Sequence, residues 1–65
     1  MMMHLHTFYN EDRKAEVFSV DYGFRIDQYI GSKKVGDINI ADHSEQYAED
    51  AAENWVMEWG QFAKT

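Results

Sequence analysis

Ala15-Glu16-Val17-Phe18-Ser19-Val20-Asp21-Tyr22-Gly23-Phe24-Arg25-Ile26-Asp27-Gln28-Tyr29-Ile30 is the stretch on which the fold turns. Phe18, Val20, Tyr22, Phe24, Ile26 and Ile30 occupy even positions, and Ser19, Asp21, Gly23, Arg25 and Asp27 occupy the odd ones between. Alternation with period two is the mark of a strand with one apolar face. A turn at Tyr22-Gly23 would set Val20 against Arg25 and Phe18 against Asp27, mixing the faces. A slip of one residue inverts every side chain, so the apolar phase is a strong constraint. The phase runs unbroken through Gly23, and the expectation is one long strand over 15–30, bent or bulged at the glycine.

Outward from this stretch, Gly31-Ser32-Lys33 reads as a turn and Val35 to Ile40 as the return strand. A three-residue loop opposes Ile26 to Ile38 and Phe24 to Ile40, apolar on apolar. Upstream, Met3 to Tyr9 reads as a first strand and Asn10 to Lys14 as a charged turn, which sets Leu5 opposite Phe18 and Met3 opposite Val20. Downstream, Asp42-His43-Ser44-Glu45 has the acid-to-Glu spacing of a capping box. Tyr47, Ala48, Ala51, Ala52, Trp55, Val56, Trp59 and Phe62 then recur at helical spacing, with Gly60 as a plausible stop. The fold class expected is α+β: a three-stranded antiparallel sheet in β-β-β-α order, with one C-terminal amphipathic helix on its apolar face. Trp55 and Trp59 are expected to hold that helix down.

Sixty-five residues suit a single domain, 1–65. A domain of this size buries only about 60% of the surface its unfolded chain exposes. Two Trp, four Tyr and four Phe supply large buried areas, and there is no Cys to form a disulfide. A cysteine-free chain fits a reducing cytoplasm. Met1 to His6 carries no positive region and no long apolar run, and no stretch has the length of a membrane span. Twelve acids against six bases give a net charge of −6, which disfavours nucleic acid and anionic lipid as direct partners and favours basic protein surfaces.

Candidate chemistry is sparse. His4 and His6 form an H-x-H pair that would share a strand face, with His43 or Asp42 as a conceivable third ligand; the alternative is surface histidines, because zinc sites need three or four placed ligands. Asp21 and Asp27 read as solvated carboxylates on a strand's outer face. Lys33, Lys34 and Arg25 are the sole basic grouping and read as a soluble turn. No nucleophile elbow, phosphate loop or Ser-His-Asp order is present, so the expectation is a non-enzymatic protein without cofactor or metal. Val17, Tyr29 and Val35 could make the uncovered sheet face partly apolar, which would suit a symmetric homodimer.

The helix's polar side carries the strongest functional signal. Glu45, Glu49 and Glu53 are spaced i, i+4, i+8, with Asp50 alongside and Glu58 a turn beyond, and no base occurs between Glu45 and Ala63. Like charges at i, i+4 cost a helix a few tenths of a kcal/mol per pair. Their ~6 Å separation resembles phosphate spacing along a nucleic acid. Glu45, Glu49, Asp50, Glu53 and Glu58 are therefore the candidate contacts to a basic partner, weighed against a merely solvated face.

Tyr47-Ala48-Glu49-Asp50-Ala51-Ala52-Glu53-Asn54-Trp55-Val56, following a Gly-containing hairpin, resembles small uncharacterised proteins of marine bacteriophages, cyanophages in particular, over about the last 45 residues. That family brings no catalytic residues. Arg25 to Gly36 resembles, more loosely, hairpins of small phage anti-CRISPR proteins, sheet-plus-helix inhibitors that bind surveillance complexes; this chain is shorter and has one helix. The resemblances imply a phage-encoded protein acting in the host cytoplasm on a host protein. A small homodimeric assembly module is the alternative.

Overall fold

The computed structural model describes the backbone of residues 2–62 and the side chains of residues 2–57. Four strands are followed by one helix: β1 (Met3–Asn10), β2 (Arg13–Val20), β3 (Gly23–Ile30), β4 (Lys33–Ile40) and α1 (Glu45–Phe62). The strands form one antiparallel meander in the order β1-β2-β3-β4. The class is α+β as expected, with four strands rather than three.

The extra strand comes from the stretch read as one. The chain reverses at Asp21-Tyr22, one residue ahead of the turn weighed from sequence, and Val20 pairs with Gly23, Phe18 with Arg25 and Val17 with Ile26. A two-residue reversal joins residues of opposite parity. The inner face is therefore odd in β2 and even in β3. Ala15, Val17 and Ile26 are fully buried, whereas Phe18 and Val20 lie on the other side of the sheet and are half-buried. Gly23 makes the reversal possible. Its φ is +146°, and a Cβ built there would collide with the backbone carbonyl of Ile40. Such a conformation is essentially reserved for glycine.

The register of β3 on β4 follows the apolar matching: Ile26 faces Ile38 and Phe24 faces Ile40. The turn is the two residues Gly31-Ser32, with Gly31 left-handed at φ +65°, and the odd residue sits in a bulge where the register shifts between Gln28 and Tyr29. The β1–β2 register also starts as the charged turn implies, with Phe8 on Ala15 and His6 on Val17. It then shifts between His4 and His6, so His4, not Leu5, faces Phe18, and Met3 faces Ser19 rather than Val20. Leu5, the extra residue, packs against the core together with Phe8.

The helix begins one residue after Ser44, whose Oγ accepts from the Tyr47 amide at 3.2 Å. Ser44 is thus the N-cap. Asp42, the acceptor expected from the capping-box pattern, is left-handed at φ +65° and belongs to the connection out of β4. Ala48 and Ala52 are fully buried and Val56 nearly so, over a sheet floor of Ala15, Val17, Ile26 and Ile40. Alanine keeps the helix backbone close to the sheet, and Ala51 and Trp55 pack at its flank. Tyr47, expected in the core, is 49% exposed and stacks on His43 at 3.9 Å between ring centroids. The side chains of Trp59 and Phe62 lie outside the described residues; Gly60, expected as a stop, does not end the helix, which runs on to Phe62.

The two apolar phases of β2 differ in energetic weight. Val17→Ala should cost about 2 kcal/mol, the sum of two buried methyls and a residual cavity. Val20→Ala should cost less than half of that, and urea unfolding of the two variants side by side checks the order. Gly23→Ala should cost about 2–3 kcal/mol through backbone strain and the Ile40 collision, read in the same assay.

Candidate functional site

The sheet fixes α1 through three polar side chains on its inner face. Asn10, the last residue of β1, donates from Nδ2 to the Val56 carbonyl at 2.9 Å. Arg13, the first residue of β2, donates from Nη1 to the Trp55 carbonyl at 2.9 Å and lays its guanidinium 4.6 Å from the Trp55 ring centroid. Both flank the β1–β2 turn. At the other end of the helix, His6 of β1 places Nε2 2.7 Å from Glu49 Oε2 and 3.9 Å from Glu45 Oε2. Contacts advance together from His6 to Asn10 and from Glu49 to Val56, so α1 runs in the same sense as β1.

This arrangement divides the acidic stripe. Glu45 and Glu49 turn toward β1, where one imidazole serves both, and Glu49 is only 28% exposed. His6 thereby sits against both carboxylates of one of the i, i+4 pairs that the sequence builds into the helix. Asp50 and Glu53 lie on the solvent side with Gln46, Asn54 and the half-exposed Tyr47 and Met57. Among the described residues no base pairs with Asp50 or Glu53. The side chain of Glu58 lies outside the described residues.

The histidines do not form the pair that H-x-H spacing suggests. The register shift after His4 sends the two rings to opposite faces of the sheet. His4 lies on the outer face, 2.6 Å from Thr7 Oγ1 and edge-on to Phe18 at 5.4 Å. His6 lies on the inner face, and its Nε2 with one carboxylate oxygen each of Glu45 and Glu49 form a set of three donors within 4.8 Å of one another. Neither His43 nor Asp42 joins that set. Sequence reading named all three of these residues but not their meeting, because Val17, which pairs with His6, was expected on the uncovered face.

The outer sheet face carries a charge lattice on β3 and β4, beside the half-buried Phe18 and Val20 of β2. Val17, expected there, is buried beneath the helix. Tyr29 is half-buried, with the Lys14 ammonium 4.4 Å from its ring centroid, and Val35 is exposed. Asp27 is not a solvated carboxylate: it is 7% exposed, accepts from Arg25 Nε at 2.8 Å and lies 3.5 Å from Lys34 Nζ. Asp37 lies 3.6 Å from both the Arg25 and Lys34 nitrogens. The hydrogen bond and charge of Asp27 hold the Arg25 guanidinium above its ordinary pKa. Two of the three bases read as a free turn are thus engaged by acids. Tyr22, from the β2–β3 turn, donates its hydroxyl to Asn39 on β4.

A depression of about 120 Å³ opens between Glu11, Asp12, Arg13 and Ile30, beside the Gly31 amide that donates to the Asp12 carbonyl at 2.7 Å. Small-molecule sites commonly span 300–1,000 Å³, several times larger. No described helix is long and apolar enough to cross a membrane. No family model, curated protein or solved structure matches the chain.

Arg13 is the main polar anchor of the helix. Arg13→Ala should cost about 2 kcal/mol, combining a charged hydrogen bond and a cation–π contact. The loss should appear as a lower urea midpoint and a red shift in tryptophan emission at equal denaturant. Asn10→Ala should cost about half as much.

Proposed function

We propose that this chain is a non-enzymatic binding protein that docks on the basic surface of a protein partner through the acidic side of α1. The observation that supports this most is the character of the helix's solvent side. Asp50 and Glu53 stand there without a partner base among the described residues, between Tyr47 and Met57, which are 49% and 50% exposed. Acids around exposed apolar side chains fit the general anatomy of an interface, in which apolar groups bury and charges at the rim steer association. Glu45 lies at the edge of this surface and Glu49 at its border with β1. Glu58 extends the same spacing in sequence.

The four-stranded sheet works as a rigid support. It turns the alanine face of the helix inward and leaves the opposite side free along its described length. The resemblance of 47–56 to small phage proteins, and of the 25–36 hairpin to anti-CRISPR inhibitors, supports a phage-encoded protein that occupies a nucleic-acid-binding groove of a host protein. Carboxylates at one-turn spacing would stand in for phosphates. The charge lattice on the outer sheet face favours the helix over that face as the contact surface, because uncovering paired charges to bury them again is costly.

Asp50→Lys with Glu53→Lys should slow association with the basic partner at least tenfold and flatten the salt dependence of the on-rate, while leaving the unfolding midpoint nearly unchanged. Affinity capture from a host lysate at low and high salt supplies the partner for that measurement. A tight homodimer by light scattering, with partner binding indifferent to salt and to both substitutions, would replace this reading with the assembly-module alternative.

A further inference from the structure

We infer that His6, Glu45 and Glu49 form a binding site for a first-row divalent cation of the zinc class, clamping β1 to the start of α1. The three donor atoms already lie within 4.8 Å of one another, and the His6–Glu49 separation is 2.7 Å. A zinc ion with ligand bonds of about 2.0–2.2 Å holds its donors roughly 3–3.5 Å apart. The closure required falls mainly on Glu45, whose side chain is 51% exposed and free to swing inward by about one rotamer.

The donor set argues for the class of ion. One imidazole nitrogen with two carboxylates suits zinc, cobalt, nickel or manganese, whereas calcium and magnesium prefer oxygen alone. Two carboxylates would neutralise a divalent ion, and the exposure of all three groups leaves room for water in the remaining positions. The three residues come from two elements. His6 faces the helix because it pairs with the buried Val17, while the register shift before it sends His4 to the other face, and Glu45 and Glu49 are presented by consecutive turns of α1. The ion would take the place of the direct His6–Glu49 contact and would offset the repulsion between Glu45 and Glu49. Because the folded chain assembles the donors, binding would raise the unfolding temperature by mass action. The inference shares only Glu45 and Glu49, at the border of the docking surface, with the partner reading, since Asp50 and Glu53 take no part in the site.

Titration of the full chain with zinc chloride in a calorimeter near pH 7.5, together with thermal unfolding, tests it. One ion should bind per chain, with a zinc-dependent rise in the unfolding midpoint. His6→Ala and Glu49→Gln should each weaken the affinity at least tenfold, and His4→Ala should change it less than twofold. Cobalt should give a visible absorption band that His6→Ala abolishes. Absence of saturable one-to-one binding would overturn the inference, as would binding that survives His6→Ala or is lost with His4→Ala. The Asp50→Lys, Glu53→Lys protein should bind zinc as the parent does, which separates failure here from failure of the docking surface.

Discussion

The closeness of α1 to the sheet governs the rest of this structure. Ala48 and Ala52 have no side chain beyond Cβ, so the helix backbone descends onto Val17 and Ile26 until all four residues lose contact with water. At about 25 cal/mol per Å² of apolar surface, burial is the dominant favourable term in a fold that has neither disulfides nor length to spare. Larger residues at 48 or 52 would lift the helix. The carbonyls of Trp55 and Val56 would then leave the reach of Arg13 and Asn10, and Glu49 that of His6. Those polar contacts therefore depend on the alanine contact and in turn fix the helix's rotation and direction.

The same contact separates the molecule into surfaces with different work. The inner sheet face beneath the helix is consumed by packing, while Ile30 and Ile38 toward the β4 side stay exposed. The outer face spends its charges on itself, through Arg25, Lys34, Asp27 and Asp37. The far side of α1 has neither use. Its acids sit beside Tyr47 and Met57, exposed to whatever approaches. One acidic sequence feature is thus split by three-dimensional placement into two groups with different surroundings. Glu45 and Glu49 converge on an imidazole, where the cation site is proposed, and Asp50 and Glu53 point to solvent, where the docking surface is proposed.

Much of this was legible in the sequence, and the failures have definite physical causes. The helix followed from the alanine and aromatic spacing, and the facing of Ile26 with Ile38 followed from matching apolar sides. The fourth strand was hidden because β2 carries apolar residues in both phases: Ala15 and Val17 in one, Phe18 and Val20 in the other. Size favoured the second pair, yet beneath a close-packed alanine helix the smaller residues fit, and Phe18 finds His4 on the outer side. The even phase appeared to run through Gly23 because a two-residue reversal exchanges parity, which continues an apparent alternation while inverting its meaning. The His6–Glu49 meeting was hidden by the same phase exchange, because His6 pairs with Val17 and the odd phase of β2 was read as outward; the bulge moves only His4 and Met3. Placing the N-cap at Asp42 instead of Ser44 arose because two acceptors lie within one turn of the helix start, and only the backbone angle at Asp42 distinguishes them.

Methyl-to-methyl nuclear Overhauser contacts report most directly on whether the odd phase of β2 lies under the helix. The account predicts strong cross-peaks from the Val17 and Ile26 methyls to the methyls of Ala48 and Ala52, and none to those alanines from Phe18 or Val20. Cross-peaks from Val20 or Phe18 to Ala48 and Ala52, with Val17 silent, would contradict it.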